Sequence, residues 1–166
     1  MGFDCFLKIE GIPGESTDDK HKDQIEILSY SHGVKQASSG SASTAGGRGS
    51  QRCDHEDFTI VHDIDKSSPK LALFCCNGKH IPSIVMEICR ATGDKQKYME
   101  YKLSDAIVSS VRPAGSSKEE KQTIPLEQVS FSYGKIEWTY TATDHKTGKA
   151  AGDVKAHWDL TANKGG

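Results

Sequence analysis

Apolar residues take every second position from Val129 to Tyr133, with Ser130 and Ser132 between them. After Gly134-Lys135 the alternation resumes with opposite parity. Ile136, Trp138, Tyr140 and Ala142 now hold the apolar places, and Glu137, Thr139 and Thr141 the polar ones. Period two across Leu126 to Ala142 predicts one long strand with a dry face and a wet face. The swap at Gly134 predicts a β-bulge, since one extra residue turns the pleat over. A strand of this length belongs to a sizeable antiparallel sheet or barrel, not to an enzyme's short parallel strands.

The same pattern marks the other elements. Phe3, Cys5, Leu7 and Ile9 alternate with Asp4, Phe6, Lys8 and Glu10, a first strand; Gly11 to Lys22 is a loop of turn formers and charge. Ile25 to Tyr30 predicts a second strand with a parity change, and Phe58 to Ile64 a third. Ser67-Ser68-Pro69 predicts a helix start, with Ser68 as cap and Pro69 in the first turn. Leu71 to Cys76 form the helix body, apolar enough to plug a sheet, and Asn77-Gly78 the stop. Ile84 to Ile88 and Met99 to Val111 predict two more strands, Gly115 to Gln122 a polar turn. Asp144 to Gly152 predicts a hairpin turn, and Val154 to Ala162 the last strand. Between the second and third strands, residues 36–52 have no large apolar side chain and are rich in Gly and Ser, which predicts a flexible loop. A loop so long inside a compact domain is functional or disordered. The sum is a mainly β architecture with one helix, without internal repeats, in one domain over residues 1–166.

Composition narrows the function classes. Only 35% of residues are hydrophobic, as expected for sheets with one wet face each. The net charge of −2 and pI of about 6.4 give no electrostatic reason for nucleic acid. No basic n-region precedes an apolar run at the start, so no signal peptide is expected. No stretch reads as a membrane-spanning helix. Five cysteines, an odd number with Cys75 and Cys76 adjacent, do not read as a disulfide framework; folding in a reducing cytoplasm is expected.

Candidate chemistry is sparse. Cys75 and Cys76 lie four or five residues before His80, a candidate thiol–imidazole pairing, and small hydrophobes on a buried helix are the simpler reading. His62, Asp63 and Asp65 form a short H-D-I-D acid–base pattern common at strand ends. Cys53, His55 and His62 match no structural zinc spacing. Gly46-Gly47-Arg48-Gly49-Ser50 lacks the lysine and following helix of a phosphate loop. Tyr133, Trp138, Tyr140 and Trp158 fall on dry strand faces, where core packing outweighs base stacking. Neither catalytic residues, cofactor nor metal is expected. Long two-faced strands and a long loop suit assembly with a neighbour.

Several segments carry a resemblance: FLKIEGIPGES, IEILSYSHG, FTIVHDIDKSSPKLALFCCNGKHI, LEQVSFSYGKIEWTYTATD and the closing WDL-x-x-NK. In order and spacing, across nearly the whole chain, they resemble the Hcp family, the haemolysin-coregulated tube subunits of bacterial type VI secretion systems. The resemblance implies a compact antiparallel β-barrel of two sheets with one flanking α-helix. It implies a hexameric ring with an open lumen, and rings stacked into a tube inside contractile sheath proteins and capped by a VgrG spike protein. It also implies effector chaperoning in the lumen, and no enzymatic activity unless a toxin domain follows; none is expected after Gly166. Cytoplasmic assembly and secretion without a signal peptide go with it, and neither nucleic acid nor membrane insertion.

Residue by residue, the 36–52 segment resembles the family's extended loop toward the next ring. Ser41, Ser43, Thr44, Gly46, Gly47 and Arg48 become candidates for ring stacking. Ser31, in Tyr30-Ser31-His32-Gly33, matches the position after a Trp in the family's Trp-Ser-Trp-Gly pattern, which lines the lumen; Tyr30 and His32 depart from it, and Ser31 and His32 become the lumen and effector candidates. Two rivals stand beside this reading: a monomeric effector- or ligand-binding β-barrel, and a thiol hydrolase built on Cys75 or Cys76.

Overall fold

A computed structural model of the chain describes residues 2–36, 52–91, 95–118, 124–144, 146–147 and 150–166. Among them run β1 (Phe3–Ile9), β2 (Ile25–Glu26), β3 (Ser29–Ser31), β4 (Val34–Lys35), β5 (Asp54–His55) and β6 (Phe58–Asp63). Then come α1 (Ser68–Asn77), β7 (Ile81–Arg90), β8 (Lys97–Ala114), β9 (Leu126–Thr143), β10 (Ala150–Asp159) and β11 (Lys164–Gly165). The fold is mainly β with one helix, as the period-two pattern predicts. The last strand ends at Asp159, because the chain turns at residues 160–163 to bring β11 back onto it.

One large antiparallel sheet runs β11-β10-β9-β8-β7-β1-β2, with β6 pairing β9 and β3 pairing β6; β4 and β5 make a separate two-stranded ladder. Among the described residues no continuous ladder closes the sheet into a barrel. Single bonds span the gap: the Ile27 amide donates to the Cys5 carbonyl and the Leu28 amide to the Val61 carbonyl. The second strand is split into β2 and β3 at that point, where the chain leaves β1 for β6. The core lies inside this curl, with Leu7, Ile25, Phe58, Ile60, Met86, Leu103, Phe131 and Ile136 buried from six strands.

The Gly134 swap exists, but a one-strand bulge does not cause it. The β8–β9 register passes straight through, from Ser104 opposite Lys135 to Ala106 opposite Tyr133; the irregularity on this ladder lies between Val108 and Ser110. Both strands change face together, with Leu103 and Ala106 buried on β8 and Ile136 and Tyr133 on β9. Asp105 adopts a left-handed φ of 50° beside Gly134, so the corner is a matched kink. There β9 leaves β6 on its other side and takes up β10.

The helix carries two corrections. Its N-cap position is Ser67, whose side chain makes no capping bond; Ser68 is already helical, and its hydroxyl accepts from the Asp65 amide. Only one side of the helix plugs the sheet. Leu71 and Phe74 are buried, Cys75 is half-buried and Cys76 is exposed, so the cysteine pair straddles the edge of the buried stripe. Gly78 ends the helix in the left-handed region (φ 62°), which a Cβ would strain.

Candidate assembly surface

Past the corner the hairpin outruns its own core. Residues paired across β8, β9 and β10 share a face: Leu103, Ile136 and Trp158; then Tyr101, Trp138 and Ala156; then Met99, Tyr140 and Val154. Ile136 is sealed, Trp138 is half-buried, and in the last row Met99 is half-buried against the core while Tyr140 and Val154 are open, 49% and 69% exposed. The predicted dry face is therefore continuous, but at its far end nothing among the described residues covers it. Exposed residues fill β10 from Ala150 to His157, and beyond it in the sheet, among the described residues, lies only the two-residue β11. An apolar face leading out of a core toward a short sheet edge is suited to pairing with another chain.

A second feature is the stem of the 36–52 segment. Val34 pairs with His55 and Lys35 with Asp54, which brings both ends of the segment together. Tyr133 anchors the stem from β9, its hydroxyl 2.9 Å from His55 Nδ1 and 3.5 Å from His32 Nε2. His32 also stacks on Phe58, ring centroids 5.3 Å apart. Burial pushes the Tyr133 hydroxyl's pKa well above its ordinary value and holds both imidazoles below theirs. Ser31 is exposed at the end of β3, whereas His32 is half-buried against these rings. Ser41, Ser43, Thr44, Gly46, Gly47 and Arg48 lie outside the described residues.

The candidate chemistries separate. His62 is fully buried and donates through Nε2 to Glu127 Oε1 at 2.9 Å, with Asp65 3.9 Å from its other nitrogen; Asp63 faces out. The H-D-I-D pattern thus braces β6 against β9. His80 meets Asp105 at 2.9 Å on the surface, and no hydrogen bond joins it to Cys75 or Cys76 among the described residues. All five cysteines are free. No helix among the described residues is long and apolar enough to cross a membrane.

The type VI secretion system effector Hcp model matches residues 6–140. Protein Hcp1 of Pseudomonas aeruginosa is 34% identical over 164 residues, covering 98% of each chain. This chain belongs to the Hcp family. A solved structure described as a type six secretion system protein superposes with a TM-score of 0.92 at 31% identity, covering 99% of this chain and all of that one. A second Pseudomonas aeruginosa relative, the major exported protein, is 26% identical over 135 residues, 76% of this chain and 74% of its own. Hcp is a structural secretion family whose members form ring-shaped assemblies in the type VI system, and this chain is a tube protein of that system. Hcp proteins are secreted components of it.

Proposed function

We propose that six copies of this Hcp chain close a ring around an open lumen. The rings stack into the inner tube within the contractile sheath, capped by VgrG, and hold small effector proteins inside. The chain acts by assembly, not catalysis, and leaves the cytoplasm with the tube. Ser31 and His32 are assigned to the lumen and its cargo, and the 36–52 segment, Ser41 to Arg48 above all, to the next ring. The closely paired stem of β4 and β5 supports the second assignment, since it holds the two ends of the segment side by side as the base of one loop.

The observation that carries the ring is the exposed apolar pair Tyr140 and Val154, which continues the core face past the half-buried Met99. Ring closure needs a heterologous contact, one patch on a different patch, repeated until the rotation closes. An apolar sheet face continuous with the core is such a patch. Covering it removes Val154 and Tyr140 from water at about 25 cal/mol per Å².

Light scattering with negative-stain images tests the proposal. The expected particle has six times the 18.1 kDa mass of the chain and an open centre. Val154→Lys should reduce it to a monomer with an unchanged far-ultraviolet spectrum. A compact wild-type monomer at high concentration would overturn the ring and favour a monomeric binding barrel.

A further inference from the structure

The outer face of β1 and β7 holds a second buried cluster, away from the core. Phe6 lies opposite Glu87 and Asp4 opposite Cys89, so these four residues point away from Cys5, Leu7, Met86 and Ile88. The loop of residues 10–24 folds over them and places His21 on top, 3% exposed and stacked on Phe6 with centroids 4.1 Å apart. His21 Nε2 is 2.6 Å from Glu87 Oε2 and 3.9 Å from Cys89 Sγ. One ligand atom each from His21, Glu87 and Cys89 fall within 4.8 Å of one another. On the far side of the ring, Nδ1 donates to Asp18 Oδ2 at 2.8 Å, and Lys95 holds the other Asp18 oxygen at 2.7 Å.

We propose that His21, Glu87 and Cys89 form a structural site for zinc or a similar borderline-soft divalent cation, clipping the 10–24 loop to the sheet. The donor set selects the metal: a thiolate with an imidazole and one carboxylate suits zinc or cobalt and excludes the all-oxygen shells of magnesium and calcium. The spacing is close to what is needed. Tetrahedral bonds of about 2.0 Å to N and O and 2.3 Å to S put ligand atoms roughly 3.3–3.5 Å apart, so each donor moves by about 1 Å or less. The orienting shell is already built, since a carboxylate on Nδ1 fixes the tautomer that leaves Nε2 free to ligate. Binding sends the thiol proton and any proton on Nε2 to solvent, while Nδ1–H stays on Asp18. Glu87 is partly exposed, which leaves an entry path and room for water as the fourth ligand. The competing account is an imidazolium held between Asp18 and Glu87; it gives the Cys89 thiol no part.

The test is titration of the intact chain with cobalt(II), read by absorption, then displacement by zinc. The expected result is one equivalent giving tetrahedral d–d bands and a thiolate-to-cobalt charge-transfer band. Both should vanish in Cys89→Ala and in Cys89→Ser. Asp18→Asn should keep the spectrum and weaken binding roughly 10- to 100-fold. Cys53→Ser and Cys76→Ser, controls for the more accessible thiols, should change nothing. X-ray absorption of the zinc-loaded wild type should show one sulfur scatterer. A wild type without the charge-transfer band, or a band that survives Cys89→Ala, overturns the site and leaves the doubly paired imidazolium.

Discussion

The long β8–β9 hairpin has two halves that obey different rules. Below the Asp105–Gly134 corner, β9 lies between β8 and β6, and its apolar side chains are sealed: Val129 and Phe131 are fully buried, with Phe58 directly opposite Phe131. Above the corner, β9 lies between β8 and β10, and the assignment inverts. Thr139 and Thr141 are buried while Tyr140 is open. The threonines sit beneath long polar neighbours, Thr139 between Glu100 and Lys155, and Thr141 donating to Asp153 at 2.8 Å. Both halves have the same period-two pattern. What differs is whether this chain supplies a second layer, so the upper half reads as half of an interface and the lower half as a finished core.

The sharpest way to break that contrast is a pair of truncations in a Val154→Lys background, which is expected to keep the chain monomeric so that mass action does not enter the stability. Phe131→Ala should cost about 3–5 kcal/mol, because a buried ring is lost and a cavity remains. Tyr140→Ala should cost under about 1 kcal/mol, as for other exposed positions. Urea midpoints with unchanged slopes give both values. Equal costs would mean that the upper half is packed within the single chain.

The corner itself predicts a smaller effect. Asp105 holds a left-handed φ with an exposed side chain whose partner is the surface His80. Asp105→Val should destabilise by about 1–2 kcal/mol, since a β-branched residue resists that conformation. Asp105→Gly should be close to neutral, relieving the strain while adding freedom to the unfolded chain. If Asp105→Gly costs as much as Asp105→Val, the His80 contact, not the backbone, holds the corner.

Periodicity reports the local chain and is silent about what covers it. The longer strands, the helix stop at Gly78 and the face swap at Gly134 were legible, because each is written in adjacent residues, whereas the two-residue strands β4, β5 and β11 are too short to carry a period. The cause of the swap was not, since Asp105 acts on Gly134 from the neighbouring strand. Tyr140 was expected on a dry face and lies on one, yet no pattern within one chain says that the face is left open. Phe6 breaks its strand's alternation and was a usable signal of a second buried surface. His21, Glu87 and Cys89 were not legible as a group: His21 lies 66 residues from Glu87 and 68 from Cys89, and only the folded loop joins them. His62 stood out by its acidic neighbours, Asp63 and Asp65, whereas its buried partner is Glu127, 65 residues away.

The smallest expected effect concerns pH and sharpens the same contrast from the sealed side. His32 packs on Phe58 and near Tyr133, with His55 and Glu56 beside it, and burial holds its pKa below the ordinary value. The unfolded chain therefore binds this proton more readily than the folded one. Its contribution is fully present above about pH 6.5 and is lost as the pH falls through the folded value. The slope from this group cannot exceed one proton, about 1.4 kcal/mol per pH unit. His32→Phe keeps a ring against Phe58 and removes the titration. Urea midpoints of the monomeric background from pH 7.5 down to pH 5 should fall less steeply in that variant than in its parent. An unchanged slope would mean that His32 reaches solvent freely in the folded chain, and the aromatic root of the stem would then be as open as the row at Val154.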